Sequence, residues 1–413
     1  MQDDVLPQER RSFDMSSARF ALATGITLLD GIALGVILPL LPFLVLHFGA
    51  RPLVVTQLVA VYGIAAFMAN PVMGRLSDRL GRGPLVVISL LGTLVSYIGI
   101  LASWSLVGVF AFRIVGGLFA GRASVLRAMV TDTMPSQVQI SRIGTLSAAG
   151  AIGAALGPML GAFAAFSRPA QIAQYEFILY VGIALTIVAL AAFLLVMIFA
   201  KAPAQPAAVA PLGGGGTPAI SGMQLFRLLW LPFALIAVVA YGYGVIFSVT
   251  ALLVRLRFDW GIGQTGLLVG SLAASVALVR IFLLQRLTKR FGLDRTLAVS
   301  LAVGAGSLLA VGLCTNSALF VAAFILCGCS LGLASLIPTA MVSIKAPLPA
   351  RGYALGISNG INAIVMAISA SINGFWFDFI SPSSPHMAGA LILAIGLSLL
   401  AERAFRARLA SAQ

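Results

Sequence analysis

Acidic residues are scarce in this chain of 413 residues. Asp and Glu total 12 against 26 Lys and Arg, and charged residues of both signs make up only 9%. A soluble domain carries roughly 25% charged residues, so a soluble globular fold is excluded. Disorder is excluded by the same low polarity. Three cysteines are too few for a disulfide scaffold. What remains is apolar: 60% of the residues are hydrophobic. At roughly 20 apolar residues per crossing, the length accommodates about a dozen membrane helices. The net charge of +14 points at first to nucleic acid, but a nucleic-acid binder needs a soluble basic surface. Where the charges lie must decide.

The apolar runs have helical length, without the short alternation of a barrel. Twelve are read, from 20–45 to 386–402, giving an all-α membrane protein. The first run is too long for a signal-peptide core and is expected to remain as a helix. Residues 1–19 read as a polar tail, 20–200 as a six-helix bundle, 201–228 as a linker, 229–402 as a second six-helix bundle and 403–413 as a second tail. An even number of spans puts both termini on one side. With both cytoplasmic, nineteen of the 26 basic residues fall inside and four (Arg51, Arg168, Arg255, Arg257) outside. Arg113, Arg122 and Arg280 stay in the membrane. This is the positive-inside bias, so the basic balance describes orientation and no nucleic-acid partner is expected. Residues 201–222 have the composition of a flexible linker. Gly213–Gly216 lacks the preceding strand and the following Lys-Ser/Thr of a phosphate loop.

An internal repeat joins the two halves. GRLSDRLGR (74–82) recurs at an offset of 211 as QRLTKRFGL (285–293), and RIVGGLFAG (113–121) aligns with FILCGCSLG (324–332) at the same offset. Two six-helix halves in parallel repeat are a known transporter plan, with substrate bound between them.

The acids are few enough to place one by one. Eleven fall in tails, loops or span ends. Asp30 alone lies deep, about 10 residues or roughly 15 Å into the first span. A charge there costs at least a few kcal/mol on insertion scales, and a carboxyl avoids that cost by holding a proton. Gain and loss of a proton is what a proton-coupled carrier requires, so Asp30 is the candidate coupling group. Arg113, about seven residues into the fourth span, cannot deprotonate and is expected to pair with Asp30. Arg122 is nine residues further on. Along a continuous helix it points about 180° away, so it is expected to serve another face and to snorkel inward. Arg280 is likewise expected to reach the cytoplasmic surface.

Four motifs resemble the major facilitator superfamily, and the first half resembles its tetracycline/proton antiporters. GRLSDRLGR (74–82) looks like the cytoplasmic-loop signature. Arg113 followed by Gly117 resembles the motif of the fourth helix. Gly153, Gly157, Pro158 and Gly161 resemble the fifth-helix motif of proton-coupled drug exporters, with Ala162 replacing the last glycine. LLDGIALGVILPLLP (28–42) and RFDW (257–260) are also similar to the tetracycline group. There are departures. Ser96-Tyr97 stands where those exporters carry an Asp in the third helix, no acid occupies 296–314, and Lys289 replaces the counterpart of Asp78.

The resemblance implies roles for these positions. Gly74, Asp78, Arg79, Gly81, Arg82 and Asp132 would form a cytoplasmic latch, with Asp78 capping a helix of the other half and the arginines pairing with Asp132. The fifth-helix glycines would pack closely and seal against leakage. The third, sixth, ninth and twelfth helices would lie outside the cavity. Candidate substrate-binding residues are then Gln57, Tyr62 and Asn70 in the second span, Tyr241 and Tyr243 in the seventh, and Asn359 and Asn362 in the eleventh. Ser248, Ser369 and Asn373 belong to the same groups. Each side chain serves equally well as interhelical glue.

The function expected is proton-coupled secondary transport, exporting a small amphipathic organic compound by alternating access. The alternative is a proton-symport importer of a metabolite or siderophore. No enzyme is expected. His47 and His386 fall at the outer face, and Cys314, Cys327 and Cys329 read as core. No metal spacing and no nucleophile–base set appears. The proton gradient takes the place of a cofactor. The partners expected are substrate, protons and lipid bilayer, the working unit a monomer, and the location a bacterial inner membrane, since no glycosylation sequon occurs.

Overall fold

The computed structural model describes residues 5–133, 136–167, 171–199, 222–347 and 350–412, with side chains left out at 5–19, 78, 131, 133, 136–141, 171–173, 198–199, 222, 352 and 404–412. Among the described residues every regular element is a helix. The first half holds α1 (Val5–Ile37), α2 (Leu40–His47), α3 (Pro52–Leu80), α4 (Arg82–Leu101), α5 (Leu106–Leu118), α6 (Arg122–Thr133), α7 (Ser136–Phe166) and α8 (Gln171–Phe199). The second holds α9 (Gly222–Phe258), α10 (Ile262–Phe282), α11 (Leu284–Phe291), α12 (Leu293–Leu313), α13 (Ser317–Lys345), α14 (Arg351–Phe379) and α15 (Ser384–Ala412). Twelve spans among them are long and apolar enough to cross a membrane, the first Phe20–His47 and the last Ser384–Arg403.

Helices overrun the apolar runs that announced them. Residues 5–19, read as tail, are helical, as are 222–228 of the expected linker and 403–412 at the other end. No interior Gly or Pro interrupts residues 8–24, and Pro7 sits in the first turn of α1, where a missing N–H costs nothing. Residues 200–221 lie outside the described residues.

Two spans are broken, each for a local reason. Pro39 has no N–H, and α1 stops at Ile37 before α2 resumes at Leu40. The fourth span stops at Leu118 and resumes at Arg122. At that break Ala120 N–H turns back to Gly117 O (3.1 Å), the Phe119 carbonyl accepts the Ser89 hydroxyl, and the Phe119 ring fills the space a Cβ on Gly92 would need.

The chain divides into two compact units. One is Met1–Leu40 with Ala65–Gly214; the other is Leu41–Ile64 with Gly215–Gln413. The division falls at the Pro39 break, so α2 and the start of α3 group with the second unit. The first unit buries Phe20, Ile26, Leu85, Leu90, Leu126 and Phe193 together. In the second, Leu229 and Phe233 pack with Val342 and Ala354. Large apolar side chains such as Val107, Phe163, Val299 and Leu391 stay exposed, as a lipid-facing surface requires. The repeat shows in the backbone as well. Gly81 and Gly292, 211 residues apart, have φ/ψ of 90°/155° and 81°/168°, each capping the helix that follows. Both need a conformation that favours glycine.

Candidate functional site

Asp30 meets Arg122. The Arg122 Nη2 donates to the Asp30 carboxylate, and its Nη1 donates to Thr93 Oγ1 at 3.1 Å. Thr93 in turn donates to Ser89 O at 3.0 Å. The Arg122 side chain is 4% exposed and that of Asp30 is 29% exposed. This corrects the expectation that Arg122 serves another face and snorkels inward. The 180° rotation assumed an unbroken helix from 113 to 122. The turn at 119–121 changes the phase and aims Arg122 at α1. Arg113 is also buried. Three glycines in the six residues 116–121 were the available sign of the break. Thr93 carried none.

The glycines of α7 press α1 into place beside Asp30. A Cβ on Gly153 would stand 2.4 Å from Leu28 O and 2.9 Å from Gly31 Cα. On Gly157 it would stand 2.5 Å from Ile32 O and 2.6 Å from Gly35 Cα, and on Gly161 it would stand 2.9 Å from Val36 O. Pro158 Cδ would lie 2.8 Å from a Cβ on Gly35. This is backbone-to-backbone packing of small residues, and α7 runs through Pro158 without a break.

At the loop signature, Arg82 Nε meets Asp132 Oδ2 at 2.9 Å, and Arg82 also donates to Ser77 Oγ. Gly81 supplies the turn. Arg79 is exposed, and nothing approaches a Cβ on Gly74. The Asp78 side chain lies outside the described residues.

The expected substrate-binding residues separate into different settings. Tyr241 donates to Asn373 Oδ1 at 2.9 Å, both buried, which ties α9 to α14. Asn359, Asn362 and Asn70 are exposed. Tyr62 is partly buried. Gln57 Oε1 accepts from Ser371 Oγ at 3.1 Å, and nearby Asp378 Oδ2 accepts from Leu53 N–H at 3.1 Å, capping the start of α3 where the helix dipole favours an acid. These contacts lie within the second unit.

Arg280 does not reach out of the bundle. Its Nε donates to Gly332 O (3.2 Å) and its Nη2 to Ser335 Oγ (2.7 Å), both on α13. The buried Tyr243 hydroxyl lies beside both side chains. Arg257, counted as an outer loop residue, instead binds the end of α12 through Val311 O (3.2 Å), Gly312 O (2.7 Å) and Cys314 O (2.7 Å), and also Ser383 Oγ (2.9 Å). His386, expected at the outer face, is fully buried with Nε2 3.3 Å from Thr250 Oγ1.

The sequence profile of the Major Facilitator Superfamily matches residues 23–370. The chain belongs to the Major Facilitator Superfamily. It is therefore a multi-pass membrane transporter by family and fold, and its curated relatives include tetracycline resistance proteins. The class H protein of Pasteurella multocida is 24% identical over 283 residues, 67% of this chain and 69% of the relative. The class B protein of Escherichia coli is 31% identical over 157 residues, and the chain spans only 39% of that relative. Among solved structures, the human organic anion transporter MFSD10 aligns with a TM-score of 0.67 at 19% identity, covering 93% of this chain and 99% of that one. The D-xylose-proton symporter aligns with a TM-score of 0.71 at 15% identity, covering 91% and 96%. At these identities both structures speak for the superfamily fold alone.

Proposed function

We propose that this superfamily member is a proton-coupled secondary transporter of a bacterial inner membrane. In this reading it works as a monomer, with both termini cytoplasmic and two six-helix halves in alternating access. It exports a small amphipathic organic compound. The single observation that carries the reading is the Asp30–Arg122–Thr93 assembly. The arginine is enclosed, while the acid keeps 29% exposure; in this reading its open side is where a proton reaches the carboxylate. Protonation of Asp30 removes the charge that holds Arg122 and leaves a buried guanidinium short of a partner. That state is costly, and it gives the protonated and deprotonated protein different preferred arrangements. A ligand shifts such an equilibrium only by its differential affinity for the two states. Competition between proton and substrate for one conformational equilibrium therefore couples their movements. The α7 glycines hold α1, and with it Asp30, against a rigid backbone surface. Export is favoured by the kinship with tetracycline resistance proteins.

The test is the direction of flux. The purified protein is reconstituted in liposomes loaded with a pH-sensitive dye, under an imposed pH gradient. It is challenged with a panel of amphipathic organic compounds that includes tetracycline. Antiport moves compound and protons in opposite directions. Movement of both in the same direction would establish symport and overturn the export reading.

A further inference from the structure

The second unit holds a cation with no acid. Among the described residues no carboxylate pairs with Arg280, whose hydrogen bonds go to Gly332 O and Ser335 Oγ. The acids nearest in sequence are engaged elsewhere. Asp259 pairs with Arg255 at 2.6 Å, Asp294 approaches Arg403 at 3.9 Å, and Asp378 caps α3. Val276 Cα would lie 3.1 Å from a Cβ on Gly332, so α10 and α13 approach closely there. That approach leaves the Gly332 carbonyl within reach of the Arg280 Nε. Ser335 gives its own proton to Gly332 O at 3.1 Å, so its oxygen is free to accept from Nη2. These two bonds fix the guanidinium plane. Arg280 is only partly buried. Beside it stands the Tyr243 hydroxyl, facing Arg280 and Ser335, on a ring stacked with Phe247 (centroids 6.1 Å, interplanar angle 10°). A guanidinium oriented without a carboxylate partner, a phenol beside it and an aromatic wall are the parts of an oxyanion site. A planar fork of N–H donors fits a carboxylate best.

The geometry points to a substrate subsite at Arg280, with Tyr243, that binds the carboxylate of an aromatic organic anion. The inference rests on the reading of this chain as a carrier of a small organic compound. It does not require proton coupling. In the repeat, the position equivalent to Asp30 is Tyr241, at the offset of 211.

The test measures equilibrium binding to the full-length protein in detergent, where no gradient exists. The probes are benzoate, 2-naphthoate and 4-biphenylcarboxylate, each compared with its neutral carboxamide. The wild type is expected to bind at least one carboxylate at least tenfold more tightly than the matching carboxamide. Arg280→Gln is expected to remove that preference and leave carboxamide affinity within about twofold. Arg280→Lys keeps the charge without the fork and is expected to be intermediate; it also serves if the glutamine variant does not fold. Tyr243→Phe is expected to weaken carboxylate binding alone. Equal binding of carboxylate and carboxamide by the wild type, or an unchanged preference in the Arg280 variants, would overturn the inference. Retained preference together with flux that ignores the pH gradient would instead defeat the antiport reading and leave the subsite standing.

Discussion

Arg122 holds Asp30 from across a break in its own span. The turn at 119–121 resets the helical phase between residues 113 and 122 and places Arg122 against α1.

The pair should behave as a unit in stability measurements. Arg122→Leu leaves Asp30 with no counter-charge, and removing one partner of a buried pair typically costs about 3–5 kcal/mol. The double variant Asp30→Asn/Arg122→Leu removes both charges and should recover most of that loss. Chemical denaturation in a mild detergent gives the four corners of the cycle. Additive effects of the two substitutions would mean that the residues are not coupled.

Glycines in the two kinds of environment should respond in opposite senses. Gly157→Ala drives a Cβ to 2.5 Å from the Ile32 carbonyl, and overpacking of this kind costs about 1–3 kcal/mol. Gly25 is also helical, but nothing lies within 4 Å of its added Cβ. There Gly25→Ala should be neutral or should stabilise by about 0.5–1 kcal/mol. Melting temperatures of the two variants decide it, and equal shifts would show that α1 and α7 are not in backbone contact.

Arg257 should prove structural. It satisfies three carbonyls at the end of α12 and one serine hydroxyl, and a hydrogen bond to a charged group contributes about 1.5–3 kcal/mol. Arg257→Ala should therefore lower the melting temperature by several degrees. Arg257→Lys should rescue little, because one ammonium cannot span the same acceptors. Full stability of the lysine variant would show that charge alone matters there.

The spans were legible because their length and apolarity are one-dimensional properties. So were the deep position of Asp30 and the repeat, which returns as matched positive φ at Gly81 and Gly292. The partner of Asp30 was not legible. Helical periodicity carries direction only as far as the helix is continuous, and the break depends on the seat of Phe119 on Gly92 and on the Ser89 hydroxyl. Similarly, Asn359 and Asn373 share a face by spacing, but α9 covers only the latter. Arg257 and Asp378 looked like loop charges because helix ends, with their unpaired carbonyls and N–H groups, leave no periodic mark in the sequence.

The central claim is that Asp30 carries the proton. Its most direct test is transport by Asp30→Asn in liposomes, with and without an imposed pH gradient, using any compound the wild type accumulates. The account predicts a folded protein that still exchanges the compound down its own gradient but no longer accumulates it when a pH gradient is applied. Accumulation at the wild-type level would contradict it.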